Sequence, residues 1–296
     1  MSGRLWVRAR AVVFAVLGIL AFVAAWEGYK AVGPAAGVTL GDSGAVLLPR
    51  TQDKFMPHVW TMFETLTKPV NRLLPDITYG SEVWHASFFS LKLAALGWLI
   101  GVVVGLGLAI LMSRSRLAEA ALSPWVIISQ TIPLVAIAPV TLSWGKYLHT
   151  GSWAWGAEQT MVVIAAYLAF FPVAVGGLRG LRSTEASQLE LMHVYGVGSL
   201  ETLVKLQLPA AVPYLLPAFR LAASSAVVGA IISEMSTGQG QGIGRLIAYY
   251  SQNVTDVSAG KPWTAVIGAV GVGLVAVGLT SLIGLALGRY RRGETA

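Results

Sequence analysis

An all-α, polytopic membrane protein with six transmembrane helices and both termini in the cytoplasm is the fold class this sequence predicts. Three observations predict it. Of 296 residues, 55% are hydrophobic and 12% charged, about half the charge of a soluble domain, which carries roughly 25%. The charges are bunched, which leaves long stretches with none. The basic residues also fall unequally on the two sides that those stretches define.

A helix crossing a bilayer needs about 20 apolar residues, because its backbone polar groups must be satisfied within the segment. The stretches with that character are Ala11–Ala25, Phe89–Met112, Leu122–Trp144, Thr160–Leu178, Tyr214–Ser233 and Trp263–Gly288. Only Lys92 and Arg220 place a charge inside them, each near one end, where a long side chain snorkels to the interface. With the N-terminus inside, the inner segments carry eleven Lys and Arg against five acids, and the longer outer segments eight against nine. That asymmetry is the positive-inside pattern. It sets the expected organisation: residues 1–33 as tail and first span, 34–87 as an external segment, 88–288 as a five-helix core with an inner loop at 179–213, and 289–296 as a cytoplasmic tail.

The first span has a second reading. Arginines followed by a short apolar run ending Val23-Ala24-Ala25 also suit a cleaved signal peptide, although nothing after Ala25 resembles the start of a free domain. In the external segment Val59, Met62, Phe63, Leu66 and Val70 recur at helical spacing. They predict an amphipathic helix over Val59–Val70, lying on the membrane surface or packed on the outer ends of the spans. Gly97, Gly101 and Gly105, and Gly284 with Gly288, are four apart, a spacing that lets helix backbones approach. Packing within one subunit or against another would both use it.

The chain has no cysteine and four scattered histidines, which excludes disulfides and thiolate chemistry and offers no metal-ligand spacing. No cofactor is expected. The net charge of +7 is explained by basic inner loops, so no nucleic-acid partner is expected either. Neither Gly145-Lys146-Tyr147 nor Gly260-Lys261-Pro262 completes a phosphate-binding loop, and the run Gly238–Gly244 reads as a flexible turn. An ion-coupled carrier places a titratable group near the bilayer midplane, where these spans have none. If the protein drives transport, the energy enters from another polypeptide.

The inner loop between spans four and five is the port for it. Glu190-Leu191-Met192-His193-Val194-Tyr195-Gly196 and then Val197 to Pro209 read as two short helices. They join at a glycine able to adopt positive φ and end at a proline. Such an element suits docking in a partner's groove.

These residues resemble the signature of ABC importer permeases: E-A-A, three residues, G, nine residues, I-x-L-P. Glu190 and Gly196 stand at the correct gap, Leu206 replaces the isoleucine, Leu208-Pro209 ends the motif, and Leu191 and Met192 replace the alanines. Leu47-Leu48-Pro49 with the following amphipathic helix is similar to the external segment of nitrate/sulfonate/taurine-type permeases. Gln130-Thr131-Ile132-Pro133 through Ala136-Ile137-Ala138-Pro139 resembles their third span, and Ser233-Glu234-Met235 their segment after span five. That subfamily includes members proposed for thiamine-pyrimidine precursors and riboflavin.

The resemblance implies a type I importer permease fold in the bacterial plasma membrane. It also implies an ABC ATPase dimer, a second permease (a copy or a paralogue) and an extracytoplasmic solute-binding protein. Glu190, Leu191, Met192, Gly196, Leu206, Leu208 and Pro209 would then couple to the ATPase, which resides on another subunit. Gln130, Thr131, Pro133, Pro139, Ser224 and Ser225 are candidates for the translocation pathway, a structural kink and small-residue packing being the plainer readings. Glu234 would hold an external gate or meet the binding protein, or else be a solvated acid at a helix end. The substrate would be a sulfonate- or nitrate-type anion or a heteroaromatic vitamin precursor. Competing functions are an ion-coupled secondary carrier and a non-transport membrane scaffold.

Overall fold

The computed structural model describes residues 2–40, 45–71, 74–150, 153–255 and 258–286. The tail 289–296 and Gly288 of the second glycine pair lie outside them. Elements run α1 (Ser2–Val32), the hairpin β1 (Val38–Leu40)–β2 (Ala45–Leu48), α2 (Val59–Glu64), the hairpin β3 (Pro69–Asn71)–β4 (Leu74–Thr78), α3 (Tyr79–Arg114), α4 (Arg116–Ser129) and α5 (Leu134–Gly145). There follow the hairpin β5 (His149–Thr150)–β6 (Trp153–Ala154), α6 (Ala157–Leu181), α7 (Ala186–Val194), α8 (Ser199–Thr202), α9 (Leu208–Thr237), α10 (Ile243–Gln252) and α11 (Lys261–Ala286). The chain divides into two units, 1–82 with 249–264, and 83–248 with 265–296.

In the first unit the end of α1 is tied to the segment that follows. Lys30 Nζ donates to Thr51 O at 3.1 Å, Met56 O at 2.6 Å and Asp53 Oδ1 at 2.5 Å. That hydrogen bond to the ammonium holds the Asp53 carboxyl below the usual carboxylate range. Glu27 accepts from Val59 N at 2.8 Å and meets His58 Nδ1 at 2.7 Å.

The amphipathic helix is shorter than expected. It runs Val59–Glu64 with a 3-10 turn at Thr65–Thr67, and Lys68 is already extended at ψ 147°. Pro69 is the cause, because a residue preceding proline is pushed out of the α region; Val70 therefore belongs to β3. Met62 and Thr65 are buried, and Thr264 Oγ1 at the start of α11 donates to Met62 O at 2.6 Å. The helix thus packs on a span end, with Trp60 and Phe63 left exposed.

The second unit is an alanine- and glycine-lined bundle. A methyl group added at Gly97, Gly101 or Gly105 of α3 would collide with the Cβ of Ala165 (2.4 Å), Ala169 (2.6 Å) or Val173 (2.7 Å) of α6. The first glycine stripe is therefore spent inside the subunit. Successive pairs ascend together, so α3 and α6 run parallel. Gly229, Gly176 and Gly180 meet Ala165, Ala218 and Ala211, which makes α9 antiparallel to α6. Gly268 abuts Val83, and Gly284 abuts Leu216 and Arg220, so α11 runs with α3.

This geometry decides the third span. Because α3 and α6 point the same way, the chain between them must return across the thickness of the bundle. It does so as α4 and α5, which meet at 100°. The expected single span Leu122–Trp144 is thus a broken one, interrupted where Gln130–Pro133 leave the helix. The other candidate spans are Val12–Val32, Tyr79–Arg114, Ala157–Leu181, Ser199–Thr237 and Lys261–Gly284. Two are far longer than a bilayer requires. At 36 residues, α3 is about 54 Å long, which projects it beyond a hydrocarbon core of about 30 Å. The candidate Ser199–Thr237 includes α8.

Candidate functional site

The second unit holds three clusters of the expected residues, and α9 carries or adjoins each. The first is the loop 179–213. Tyr195 caps the end of α7, and Gly196 follows at φ +69°. Gly196 N donates to His193 O at 2.9 Å and Val197 N to Met192 O at 3.0 Å, the paired bonds of a Schellman stop. An added Cβ at Gly196 would meet nothing within 4 Å, so glycine is required there for its backbone freedom alone. Glu190 and Leu191 are exposed and Met192 is half-buried. Val194 and Tyr195, 81% and 75% exposed, share a helical face with Leu191 by the i, i+3, i+4 rule. Sequence reasoning missed those two residues, although their spacing from Leu191 was the signal.

The second half of the loop departs from expectation. Pro209 does not stop the run; it sits in the first turn of α9, where its missing N–H is not needed. A proline ring clashes with the carbonyl four residues back in an α-helix. Here that carbonyl belongs to Lys205, inside a π-helical turn over Leu203–Gln207 whose closing bond runs from Leu208 N to Leu203 O. The widened turn accommodates the proline, and α8, the π turn and α9 form one 39-residue rod, Ser199–Thr237. Leu203 is buried with Ala109, Leu181, Ala211 and Leu215, and Leu208 packs against them. Leu206 and Pro209 are half-buried. The motif therefore divides, with Glu190–Gly196 presented outward and Leu208 anchored in the bundle. At the base of the loop Arg182 grips Glu119 through two hydrogen bonds of 2.6 and 2.5 Å.

The second cluster is the α4–α5 bend. Gln130 caps α4, and Pro133 is the N-cap of α5, with Pro139 inside it. Chain ends at membrane depth need partners for their backbone groups. Thr131 Oγ1 donates to Ile128 O at 2.8 Å, Ser129 Oγ to Val126 O at 2.7 Å, and the Tyr167 hydroxyl of α6 to Ser129 O. Gln130 and Thr131 themselves are exposed. Ser224 and Ser225 are half-buried on α9, against which α5 packs. Ser224 Oγ returns to Leu221 O at 2.9 Å.

The third cluster corrects two expectations at once. Glu234 is 0% exposed, not a solvated acid, and in this conformation it has no surface to offer a binding protein. Ser90 Oγ of α3 donates to its two oxygens at 2.7 and 3.0 Å, and Gly244 N donates to Oε2 at 2.7 Å. Ile243 N in turn donates to Ser90 Oγ at 2.9 Å. The carboxylate thus caps the N-terminus of α10, satisfying amides that a helix start leaves open. The run Gly238–Gly244 is more than a flexible turn. Gly238 and Gly240 turn the chain at φ +62° and +86°, while Cβ atoms at Gly242 or Gly244 would lie 2.1 and 2.9 Å from the carboxylate. The run encloses the acid because it lacks side chains there.

The second unit is thus a multi-span helical bundle with one broken span and a glycine-stopped helix beside its longest rod. Residues 101–292 match the family described as the binding-protein-dependent transport system inner membrane component, and the chain belongs to that family. A probable ABC transporter permease from Haemophilus influenzae is 31% identical over 199 residues, 64% of this chain and 77% of that one. The formylaminopyrimidine transport permease ThiX of Halalkalibacterium halodurans is 30% identical over 190 residues, 64% and 70% of the two chains. Among solved structures, an inward-facing form of the MetNI methionine ABC transporter aligns at TM-score 0.58 and 17% identity, covering 70% of this chain and 96% of that one; the likeness shows the fold. The protein is the non-catalytic permease subunit of an ATP-driven importer, a multi-pass component of the bacterial plasma membrane.

Proposed function

We propose that this permease receives the motion of a separate ABC ATPase dimer at Glu190–Gly196 and carries it into the translocation pathway through the rod Ser199–Thr237. The observation that carries this reading is the continuity of α8, the π turn and α9, beside an α7 whose apolar face is uncovered. A rod transmits displacement over its whole length, whereas a flexible loop would dissipate it. The positive-inside pattern supports a cytoplasmic location for this end and for both termini.

In this reading Leu191 and Met192 seat in the ATPase groove, and Gly196 sets the angle between the two halves of the element. Leu206, Leu208 and Pro209 act from the other side by fixing the element to the bundle. ATP binding closes the ATPase dimer and so favours one of two rigid-body arrangements of the paired permeases. The second permease is a further copy of this chain or a paralogue.

Gln130, Thr131, Pro133 and Pro139 at the bend, with Ser224 and Ser225, line the pathway between them. Their side chains are uncharged hydrogen-bonding groups or prolines, which suits a small heteroaromatic vitamin precursor delivered by a binding protein. The likeness to a formylaminopyrimidine permease supports that substrate class. Glu234 and Ser90 hold the external gate by fixing the start of α10 to α9 and α3.

Co-purification under mild detergent tests the assignment. Wild type is expected to bring down an ABC ATPase, and Gly196→Asp is expected to lose both the ATPase and uptake while inserting normally in the membrane. Normal uptake by Gly196→Asp would remove the coupling role. Binding of a sulfonate or nitrate, and no pyrimidine, by the cognate binding protein would move the substrate to the anion class.

A further inference from the structure

The first unit contains a groove that the transport reading does not use. It has a volume of about 740 Å³ and lies between the end of α1, at Phe22, Ala25, Trp26 and Tyr29, and the segment around Phe55, with Trp263 at one wall. The polar groups of its aromatic side chains are already satisfied. Trp26 Nε1 donates to Pro57 O, the Tyr29 hydroxyl to Pro49 O and Trp263 Nε1 to Phe55 O, at 3.0, 2.8 and 3.2 Å. The walls therefore present apolar faces.

The rim is cationic. Arg50 lies 5.3 Å and Lys54 5.8 Å from the centroid of the Phe55 ring. The acids of this segment that pair, Glu27 and Asp53, are engaged by His58 and Lys30. Among the described residues neither Arg50 nor Lys54 forms an ion pair. The groove also continues the apolar stretch of α1, which is long and apolar enough to cross a membrane.

We propose that this groove binds an anionic phospholipid, its acyl chain against Phe22, Trp26 and Trp263 and its phosphate between Arg50 and Lys54. The two parts of the site select the two parts of the ligand. A soluble anion would leave the apolar walls wet, and a zwitterionic lipid would gain less from the two cations. This inference does not depend on the coupling assignment.

Native mass spectrometry of the detergent-purified full chain, titrated with phosphatidylglycerol or phosphatidylcholine of the same acyl composition, tests it. Wild type is expected to retain phosphatidylglycerol preferentially. A basic residue near an anionic headgroup is worth about a fivefold change in binding, so Arg50→Gln is expected to cut the preference by that factor and Arg50→Gln/Lys54→Gln to abolish it. Ala25→Trp, which fills the groove from an exposed position, is expected to reduce binding of both lipids. Because Arg50 is exposed and Lys54 only half-buried, the glutamine variants keep the test open should Ala25→Trp misfold. Equal retention of the two lipids by wild type, or a preference that survives the double substitution, overturns the proposal.

Discussion

The two ends of the rod Ser199–Thr237 are built on opposite principles. At one end Leu200 is 73% exposed and the neighbouring Gly196 has open space around it. At the other, Glu234 is sealed among Ser90, Gly242 and Gly244, with no exposed atom. The open end leaves apolar surface uncovered, which the proposed docking role requires. The closed end satisfies its carboxylate internally, as a carboxylate near a bilayer must. In the proposed mechanism such a helix, free at one end and held by two neighbours at the other, passes displacement along its length.

Substitutions at the two ends should therefore fail differently, and the largest effect lies at the closed end. Gly242→Val would place its Cβ about where the Glu234 carboxylate now lies; it is expected to prevent accumulation of folded permease, seen as loss of the monodisperse peak in size-exclusion chromatography. Normal accumulation would mean that the glycine run does not enclose the acid tightly. Next comes Leu191→Glu/Tyr195→Glu at the open end. The isolated permease should keep its melting temperature while uptake falls more than about tenfold, the equivalent of 1.4 kcal/mol of lost coupling; a lowered melting temperature would show that this face already serves the fold.

Ser90→Ala removes one buried donor and leaves the carboxylate partly unsatisfied, so it should destabilise by about 1–3 kcal/mol without loss of ATPase binding. The smallest effect belongs to Glu201→Ala. It breaks an exposed i, i+4 pair with Lys205 worth about 0.3–0.5 kcal/mol, and any greater loss of stability would assign that pair a role beyond the surface.

Much of this was legible in the chain, for reasons specific to each part. Continuous apolar runs located the spans, because lipid forces a helix to satisfy itself. The glycine at position 196 marked where α7 stops, because a left-handed turn selects glycine. Three things were not legible. Ser90 is an ordinary serine in an apolar span, and its partner lies 144 positions away, so nothing local distinguishes it. The bend at Gln130–Pro133 required knowing that α3 and α6 run parallel, which is a tertiary fact. Pro209 read as a terminator because the π turn that tolerates it leaves no compositional mark. The alternation Gly240, Gly242, Gly244 was the one available signal for the enclosed acid, and it read as flexibility.

The central claim is that α8 and α9 move as one body in the proposed coupling mechanism. Spin labels at Leu200 and Val228, both exposed, are about 42 Å apart on such a rod at 1.5 Å per residue. Double electron–electron resonance on the assembled transporter, with and without trapped ATP, should find this distance unchanged, while the distance between the Leu200 label and its counterpart in the second permease shifts. A nucleotide-dependent change within the Leu200–Val228 pair would contradict the account.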